Sequence, residues 1–142
     1  MNCAELFKID NDNTQPLICM RTKYFIKLND YEQLTAHIIN ILSQALIKAH
    51  ENGYDTYNMI IDMSDTLIKN VDIGYFRTMI QFMYELFPDK LERCEIHNAP
   101  PYLPYVFGMI KPFMQKTTRE KIFIVKNGQS QIIDSLNTSW RY

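Results

Sequence analysis

The sequence predicts a single α/β domain over residues 1–142, with a mostly parallel sheet of about five strands flanked by helices. Three observations support this fold class. Short apolar segments alternate with longer segments of helical periodicity, the order that parallel sheets require. The stretch from Phe87 to Val125 contains two such strands around one helix, which is a βαβ unit. The 142 residues are 46% hydrophobic, enough for one core and too few for a second domain.

The N-terminal part of the chain predicts the first strand and the first helix. Residues Pro16–Phe25 alternate weakly in hydropathy after a polar turn at Asn11–Gln15, and they predict a strand. Asp30 and Gln33 have the form of a capping box at the start of a helix. Gly53 supplies the end of that helix, because glycine accepts the left-handed conformation past a helix terminus.

The central and C-terminal elements continue the alternation. Tyr57–Asp62 predicts a central strand, and the next helix, which Pro88 ends, carries apolar residues at steps of three and four: Phe76, Met79, Ile80, Met83, Leu86 and Phe87. Glu95–Ala99 and Lys121–Val125 predict two further strands, the second covered on both faces because it is a continuous apolar run. Ser130 then predicts the cap of a last short helix.

The helix predicted over Pro101–Gln115 is more apolar than a helix on one side of a sheet requires. Its polar or small residues form one narrow stripe: Pro104, Gly108, Lys111 and Gln115. The side chains beside the stripe are apolar: Tyr102, Leu103, Tyr105, Val106, Phe107, Met109, Ile110, Phe113 and Met114. This excess apolar surface must contact something besides the sheet, which is another helix, a subunit or a lipid.

Pro112 interrupts the hydrogen bonding of this predicted helix. A proline has no amide donor, and the carbonyl left without its usual partner belongs to Gly108. Two outcomes are compatible with the sequence: a hinge between Gly108 and Pro112, or a helix that simply ends at Pro112.

The charge distribution excludes one class of function and favours another. The net charge is −1, which excludes a general nucleic-acid binder, because such proteins neutralise many phosphates. Residues 88–126 carry seven basic and four acidic side chains, a local balance of +3. That surplus around an apolar helix is typical of contact with an anionic membrane surface, although a mixed solvated face has the same composition.

The cysteines and the apolar segments predict a cytosolic protein without a metal or another cofactor. No segment has the length of a signal-peptide core or of a membrane span. Cys3, Cys19 and Cys94 lie far apart without metal-type spacing, so they are expected to be free thiols.

The sequence also predicts that the protein is not an enzyme. Asp62 and Asp65 are separated by two residues, whereas the aspartate pair of dehalogenase-type phosphatases is separated by one, so that both side chains point the same way. Cys94 and His97 are three positions apart on one predicted strand and therefore face opposite sides of the sheet. The four glycines form no phosphate-binding loop.

The second half of the chain resembles the CRAL-TRIO family of lipid-binding domains. Several features occur in the order typical of that family: Pro88 after a helix, Asn98-Ala99-Pro100 after a strand, then Lys111-Pro112-Phe113-Met114, Thr117 and Lys121-Ile122-Phe123. The resemblance is specific over Tyr57–Lys126 and extends to Pro16–His50 only through the order of elements. It implies a pocket that has the sheet as its floor, is closed by a mobile helix, and holds one lipid.

The resemblance also implies roles for individual residues. The helix 101–115 corresponds to the gate, with Gly108 and Pro112 as its hinge and the following lining residues: Tyr102, Tyr105, Val106, Phe107, Met109, Ile110, Phe113 and Met114. Asp89 and Lys121 fall on the positions that recognise inositol phosphate in phosphatidylinositol-transfer members. The expected ligand is therefore phosphatidylinositol or a phosphoinositide, taken from an anionic membrane by transient peripheral association.

Departures from the family pattern keep a second function open. The family's Tyr-Pro-Glu-Arg is Phe87-Pro88-Asp89-Lys90 here, which shortens the acidic side chain by one methylene. The helical region that precedes the lipid domain in the family has no counterpart, which predicts a minimal domain. One reading is therefore a lipid-binding or lipid-transfer protein. The other is an interaction or membrane-recruitment module that self-associates or binds a partner protein through its apolar helix without transferring lipid.

Overall fold

Six strands form one sheet in the computed structural model, which describes residues 1–10 and 12–136. The strands are β1 (Phe7–Asp10), β2 (Leu17–Arg21), β3 (Tyr57–Asp62), β4 (Leu91–His97), β5 (Ile122–Lys126) and β6 (Gln129–Ile132). The helices are α1 (Cys3–Leu6), α2 (Glu32–Glu51), α3 (Ile73–Leu86), α4 (Leu103–Ile110) and α5 (Lys116–Arg119). Short 3₁₀ helices occupy Thr22–Tyr24, Ile68–Asn70, Lys111–Phe113 and Ile133–Ser135.

The strands lie side by side in the order in which they occur along the chain. The four central strands, β2 to β5, are parallel, and β1 and β6 join the two edges in antiparallel orientation. The prediction of an α/β domain with a mostly parallel sheet is confirmed. The sheet has six strands where about five were expected. The two edge strands, β1 and β6, were not located from the sequence, because they are four-residue strands without a clear apolar alternation.

The sequential strand order places the principal helices on one face of the sheet. Right-handed crossovers that always step in the same direction leave their helices on the same side. Two contacts show this arrangement directly. The hydroxyls of Thr35 in α2 and Tyr75 in α3 are 2.9 Å apart, and Arg77 in α3 donates to the carbonyl oxygen of Met109 in α4.

The hydrophobic core lies between these helices and the covered face of the sheet. Most hydrophobic residues that are 1% exposed or less come from α1, β1, β2 and α2, and one follows the last 3₁₀ helix: Leu6, Phe7, Ile18, Ile38, Leu42, Ala45, Ala49 and Leu136. Between α2 and α3 the side chains of Phe25, Tyr31, Tyr75 and Phe76 form an aromatic cluster, with ring centroids 4.3–6.1 Å apart. Edge and offset contacts at these distances add to the stabilisation that burial provides.

The other face of the sheet carries half-buried side chains, and this corrects the expectation for β5. Residues Ile122 and Ile124 are buried on the helical side, whereas Phe123 and Val125 are only partly buried on the other. The continuous apolar run predicted cover on both faces, and that prediction was wrong. A side chain replaces the missing helix, since the guanidinium of Arg93 lies 3.9 Å from the Phe123 ring centroid.

The ends of the N-terminal elements differ in detail from the predicted ones. The strand predicted over Pro16–Phe25 corresponds to β2 and is shorter than predicted, because a 3₁₀ helix begins at Thr22. Asp30 Oδ1 accepts from the amide of Glu32 at 2.8 Å, and within the described residues no reciprocal contact of Gln33 completes a capping box. Gly53 ends α2 with φ +80°, as predicted. In the predicted turn at Asn11–Gln15, Asn11 lies outside the described residues.

The C-terminal segment is a hairpin where the sequence predicted a helix. Asn127 and Gly128 both have positive φ, 53° and 76°, the backbone of a tight two-residue turn whose twist matches that of paired strands. Ser130 therefore lies in β6 opposite Val125, and no helix begins there. A 3₁₀ turn follows at Ile133–Ser135, and residues 137–142 lie outside the described part of the chain.

Asp72 connects the start of α3 with the segment that leads into α2. Its Oδ1 accepts from the amide of Tyr75 at 3.1 Å, which caps the helix, and its Oδ2 accepts from the Tyr31 hydroxyl. The hydrogen bond from Tyr31 is the main reason that the pKa of Asp72 is lowered, with burial acting in the opposite direction. The carboxylate thus stabilises the fold in its charged form.

We expect Asp72→Ala to lower the free energy of unfolding by about 1–2 kcal/mol, because a cap is lost and the Tyr31 hydroxyl loses its acceptor. A lowered folded pKa means that this stabilisation is present above about pH 4 and disappears as the pH falls through the folded pKa. Urea unfolding at pH 7 and pH 3 measures the difference, with the exposed Asp55→Ala as control. Equal stability of the two variants at pH 7 would contradict the assigned role.

Candidate functional site

The helix over the covered face is shorter than predicted and changes type before Pro112. The α-helical part, α4, ends at Ile110, and residues Lys111–Phe113 continue as a 3₁₀ helix with Pro112 in its first turn. The prediction of one helix over 101–115 was therefore wrong, because a residue without an amide donor breaks the α-helical pattern. Gly108 and Pro112 lie on either side of this change, and a side-chain carbon added at Gly108 would meet nothing within 4 Å.

An apolar cavity of about 190 Å³ lies between α3, α4 and the sheet, and we call it the apolar cavity. Four of the predicted gate residues line it: Val106, Phe107, Ile110 and Met114. Its opposite wall consists of sheet and α3 side chains, among them Met59, Ile61, Met63, Met79, Met83, Cys94 and Ile96. Methionines are numerous in this wall, and their flexible side chains can repack around ligands of different shape.

The other predicted gate residues do not line the cavity. Tyr105, Phe113 and Met109 point outwards, with exposed fractions of 62%, 52% and 36%. Tyr102 is half-buried, and its hydroxyl donates to the carbonyl oxygen of Thr66 at 2.7 Å. The segment 102–114 thus has an inner apolar side and an outer apolar side.

No helix in the described ranges is both long enough and apolar enough to cross a bilayer.

A second cavity of about 80 Å³, which we call the mouth cavity, brings Asp89 and Lys121 together. Asp89 lies two residues before β4 and Lys121 directly precedes β5, so both lie at the amino end of the parallel strands. Asp89 is exposed and has φ +57°, whereas Lys121 is partly buried. Neither side chain forms an ion pair or a hydrogen bond with another described residue, so both are available to a ligand.

The mouth cavity and the apolar cavity are neighbours. Six residues line both of them: Tyr57, Ile80, Met83, Leu91, Met114 and Thr118. A charged opening therefore leads into an apolar interior. This polarity order is that of an amphipathic molecule whose headgroup stays at the surface.

Two α3 side chains, neither of which the sequence singled out, bind the backbone of α4 and of the segment that follows it. Arg77 donates to the carbonyl oxygen of Met109 from Nε at 3.3 Å and from Nη2 at 3.0 Å, and its guanidinium lies 4.5 Å from the Phe113 ring centroid. The Tyr84 hydroxyl accepts from the amide of Gln115 at 2.9 Å. Both residues lie in a strongly apolar helical segment, where a single polar residue gives no sign of its partner.

A larger depression of about 410 Å³ on the opposite face of the sheet is a weaker candidate. Four of its polar side chains already pair with one another. Asn58 donates to Gln15 at 3.1 Å, and Arg93 donates to Glu95 at 3.0 Å. Its volume exceeds that of the other two cavities, but it offers a ligand fewer unpaired groups.

The residues considered for catalysis are engaged in structural contacts. Burial raises the pKa of the Cys94 thiol to about 12, so this group is protonated at neutral pH and is a poor nucleophile. Partial burial opposes the charged form of Asp62, but the donors Asn98 and Ser64 outweigh it and lower the pKa of this carboxyl. Within residues 1–10 and 12–136, no group of three or more metal-binding side chains is present.

Comparisons with known proteins agree with this arrangement. The sequence profile of the CRAL/TRIO domain matches residues 3–138. The CRAL-TRIO domain-containing protein C3H8.02 of Schizosaccharomyces pombe is 27% identical over 73 residues, which are 51% of this chain and 16% of that protein. The crystal structure of Sfh5 superposes with a TM-score of 0.70 at 16% identity and covers 84% of this chain.

The chain is shorter than both relatives, since it spans 16% of the yeast protein and 47% of Sfh5. At 16% identity the likeness to Sfh5 shows the fold alone. The family profile, in contrast, covers nearly the whole chain, and it confirms the resemblance seen in the Pro88, Asn98-Ala99-Pro100 and Lys121-Ile122-Phe123 segments. The chain therefore belongs to the CRAL/TRIO domain family, a family of lipid-binding domains.

Proposed function

We propose that this domain binds phosphatidylinositol or a phosphoinositide beneath α4 and exchanges it with anionic membranes. The observation that carries the proposal is the position of Asp89 and Lys121 at the mouth cavity, directly beside the apolar cavity. A lysine pairs with phosphate as a point charge, and a carboxylate accepts hydrogen bonds from inositol hydroxyls. The proposal assigns no catalytic step to any residue, in agreement with the protonated Cys94 thiol.

The size of the apolar cavity requires the gate to move. Ligand pockets usually have volumes of about 300–1,000 Å³, and the apolar cavity has about 190 Å³. A two-chain lipid therefore needs α4 to rise from the sheet. The polar contacts of Arg77 and Tyr84 hold the far end of the gate, and the change of helix type next to Pro112 offers the backbone a place to bend.

The outer side of the gate suits a transient contact with an anionic membrane. Tyr105, Met109 and Phe113 expose apolar surface there, and basic residues lie close by in Arg77, Lys111 and Lys116. Apolar side chains enter the headgroup region while the cations remain near lipid phosphates. Peripheral association at this surface would place the gate where lipid enters and leaves.

The same exposed side chains favour a second candidate function. A domain that keeps its cavity small could use Tyr105, Met109 and Phe113 for self-association or for a partner protein without carrying lipid. Mass spectrometry of organic extracts of the purified protein separates the two functions. A stoichiometric phospholipid supports the lipid carrier, and its absence together with a stable dimer supports the interaction module.

We expect Lys121→Ala to weaken binding of phosphatidylinositol 4-phosphate by about 1–3 kcal/mol, or roughly 5- to 150-fold, because a charge-assisted hydrogen bond to phosphate is lost. Titration of the purified protein with the short-chain lipid measures this affinity. Lys126→Ala, at the exposed far end of β5, the strand that Lys121 precedes, is the matched control and should bind as the parent does. If a folded Lys121→Ala protein keeps the parent affinity, Lys121 does not recognise the headgroup.

Membrane binding should depend on lipid charge and on salt. We expect the protein to cosediment with vesicles that contain 30% phosphatidylserine and much less with pure phosphatidylcholine vesicles, because the cations around the gate attract anionic headgroups. Raising the ionic strength from about 0.1 M to about 1 M shortens the Debye length from about 10 Å to about 3 Å and should release the protein. Equal cosedimentation with both kinds of vesicle would show that charge does not drive the contact.

We expect Arg77→Met to speed lipid exchange between labelled vesicles by about 5- to 20-fold. The substitution keeps an apolar stem of similar length but removes both donors to the Met109 carbonyl, so the closed gate loses a contact that the open gate does not need. Arg21→Met, which removes an arginine outside both cavities, is the control. An exchange rate equal to that of the parent would mean that Arg77 does not hold the gate.

A further inference from the structure

The hydroxyl of Tyr57 belongs to a buried side chain and has no hydrogen-bond partner among the described residues. The residue begins β3, is only 2% exposed, and lines both the mouth cavity and the apolar cavity. Its oxygen makes no hydrogen bond with any other described residue. Among the described residues, every side-chain oxygen or nitrogen that is fully buried has a hydrogen-bond partner. The Tyr57 oxygen therefore borders open space, which the two cavities that it lines provide.

No described residue accepts a hydrogen bond from the Tyr57 hydroxyl. Burial raises the pKa of this phenol, so the hydroxyl stays protonated and acts as a donor. Cys94 is itself buried and protonated and is at most a weak partner. A buried donor without an acceptor is unfavourable, and a ligand that brings an acceptor removes this cost.

Thr118 of α5 offers a second hydroxyl at the same place. It also lines both cavities, and its side chain makes no hydrogen bond with another described residue. The other threonine of the apolar cavity, Thr22, is different, because its hydroxyl lies 2.7 Å from that of Thr66. The two unpaired hydroxyls thus lie where the charged opening meets the apolar interior.

We infer that the hydroxyls of Tyr57 and Thr118 donate to the acyl ester carbonyls of a glycerolipid. This inference rests on the proposed function and names the part of the ligand that the cavity junction recognises. In a glycerophospholipid the ester carbonyls lie between the phosphate and the hydrocarbon chains, and they only accept hydrogen bonds. The protein presents the matching order: Lys121 at the opening, the two hydroxyls at the junction, and the apolar cavity beyond. The site therefore selects ester-linked lipids over ether-linked ones.

Paired lipids test the inference. The purified protein is titrated with diacyl phosphatidylinositol and with dialkyl-ether phosphatidylinositol of the same chain length, which differ only in the two carbonyls. We expect the parent to bind the ester lipid about 10- to 50-fold more tightly, as two neutral hydrogen bonds predict. Tyr57→Phe keeps the ring and should lower this ratio by about 3- to 10-fold, because the Thr118 hydroxyl still donates. Tyr54→Phe, which removes an exposed hydroxyl outside both cavities, should keep the parent ratio.

Each other outcome overturns a defined statement. A parent protein that binds both lipids equally well, or a Tyr57→Phe protein that keeps the full preference, overturns the inference and leaves the proposed function intact. A parent that takes up neither lipid overturns the proposed function and the inference with it. If Tyr57→Phe does not fold, Thr118→Val decides, because it changes a half-buried side chain of a short helix. An unchanged ratio in that variant overturns the inference.

Discussion

The one-directional, right-handed succession of crossovers is the constraint on which the rest of the structure depends. Because β2 to β5 follow each other in space as they do in sequence, their helices are confined to one face of the sheet. That face must hold the core and any ligand together. Towards α2 it is filled by side chains such as Leu42 and Ala45, and towards α4 it is left partly empty. The cavity is thus an unfilled part of the core.

Polar contacts at both ends of α4 add to the burial of Leu103, Val106 and Phe107, which holds this helix over the cavity. At one end of the gate the Tyr102 hydroxyl binds the Thr66 carbonyl, and at the other end Arg77 binds the Met109 carbonyl. Side-chain contacts of this kind exchange readily with water and contribute only about 1 kcal/mol each. Under the proposed function, opening would have to break these contacts and expose the buried side chains of α4, and binding of the lipid would have to offset both costs.

The sequence predicted the order and type of the main elements because apolar periodicity reports which side of an element is buried. It failed where one residue or one partner decides the conformation. The helix over 101–115 was overextended, since its apolar residues continue past Pro112 while its hydrogen bonding does not. The strand KIFIV was predicted to be buried on both faces of the sheet, because nothing in the sequence indicates that the Arg93 side chain lies over Phe123.

The candidate site was predicted in the same uneven way. Val106, Phe107, Ile110 and Met114 line the apolar cavity, and Asp89 meets Lys121 at the mouth cavity. Tyr105, Met109 and Phe113 were also predicted to line it but point outwards. A helix with apolar residues all round cannot be oriented from its sequence alone. The placement of the Tyr57 and Thr118 hydroxyls depends on contacts between the sheet and the helices, which no local sequence pattern encodes.

The two edges of the sheet are formed by short strands. β6 ends the sheet with Gln129, Ser130 and Gln131, and β1 is only four residues long, so neither edge is a good template for the addition of a strand from another chain. Fibrous stacking through either edge of the sheet is therefore disfavoured.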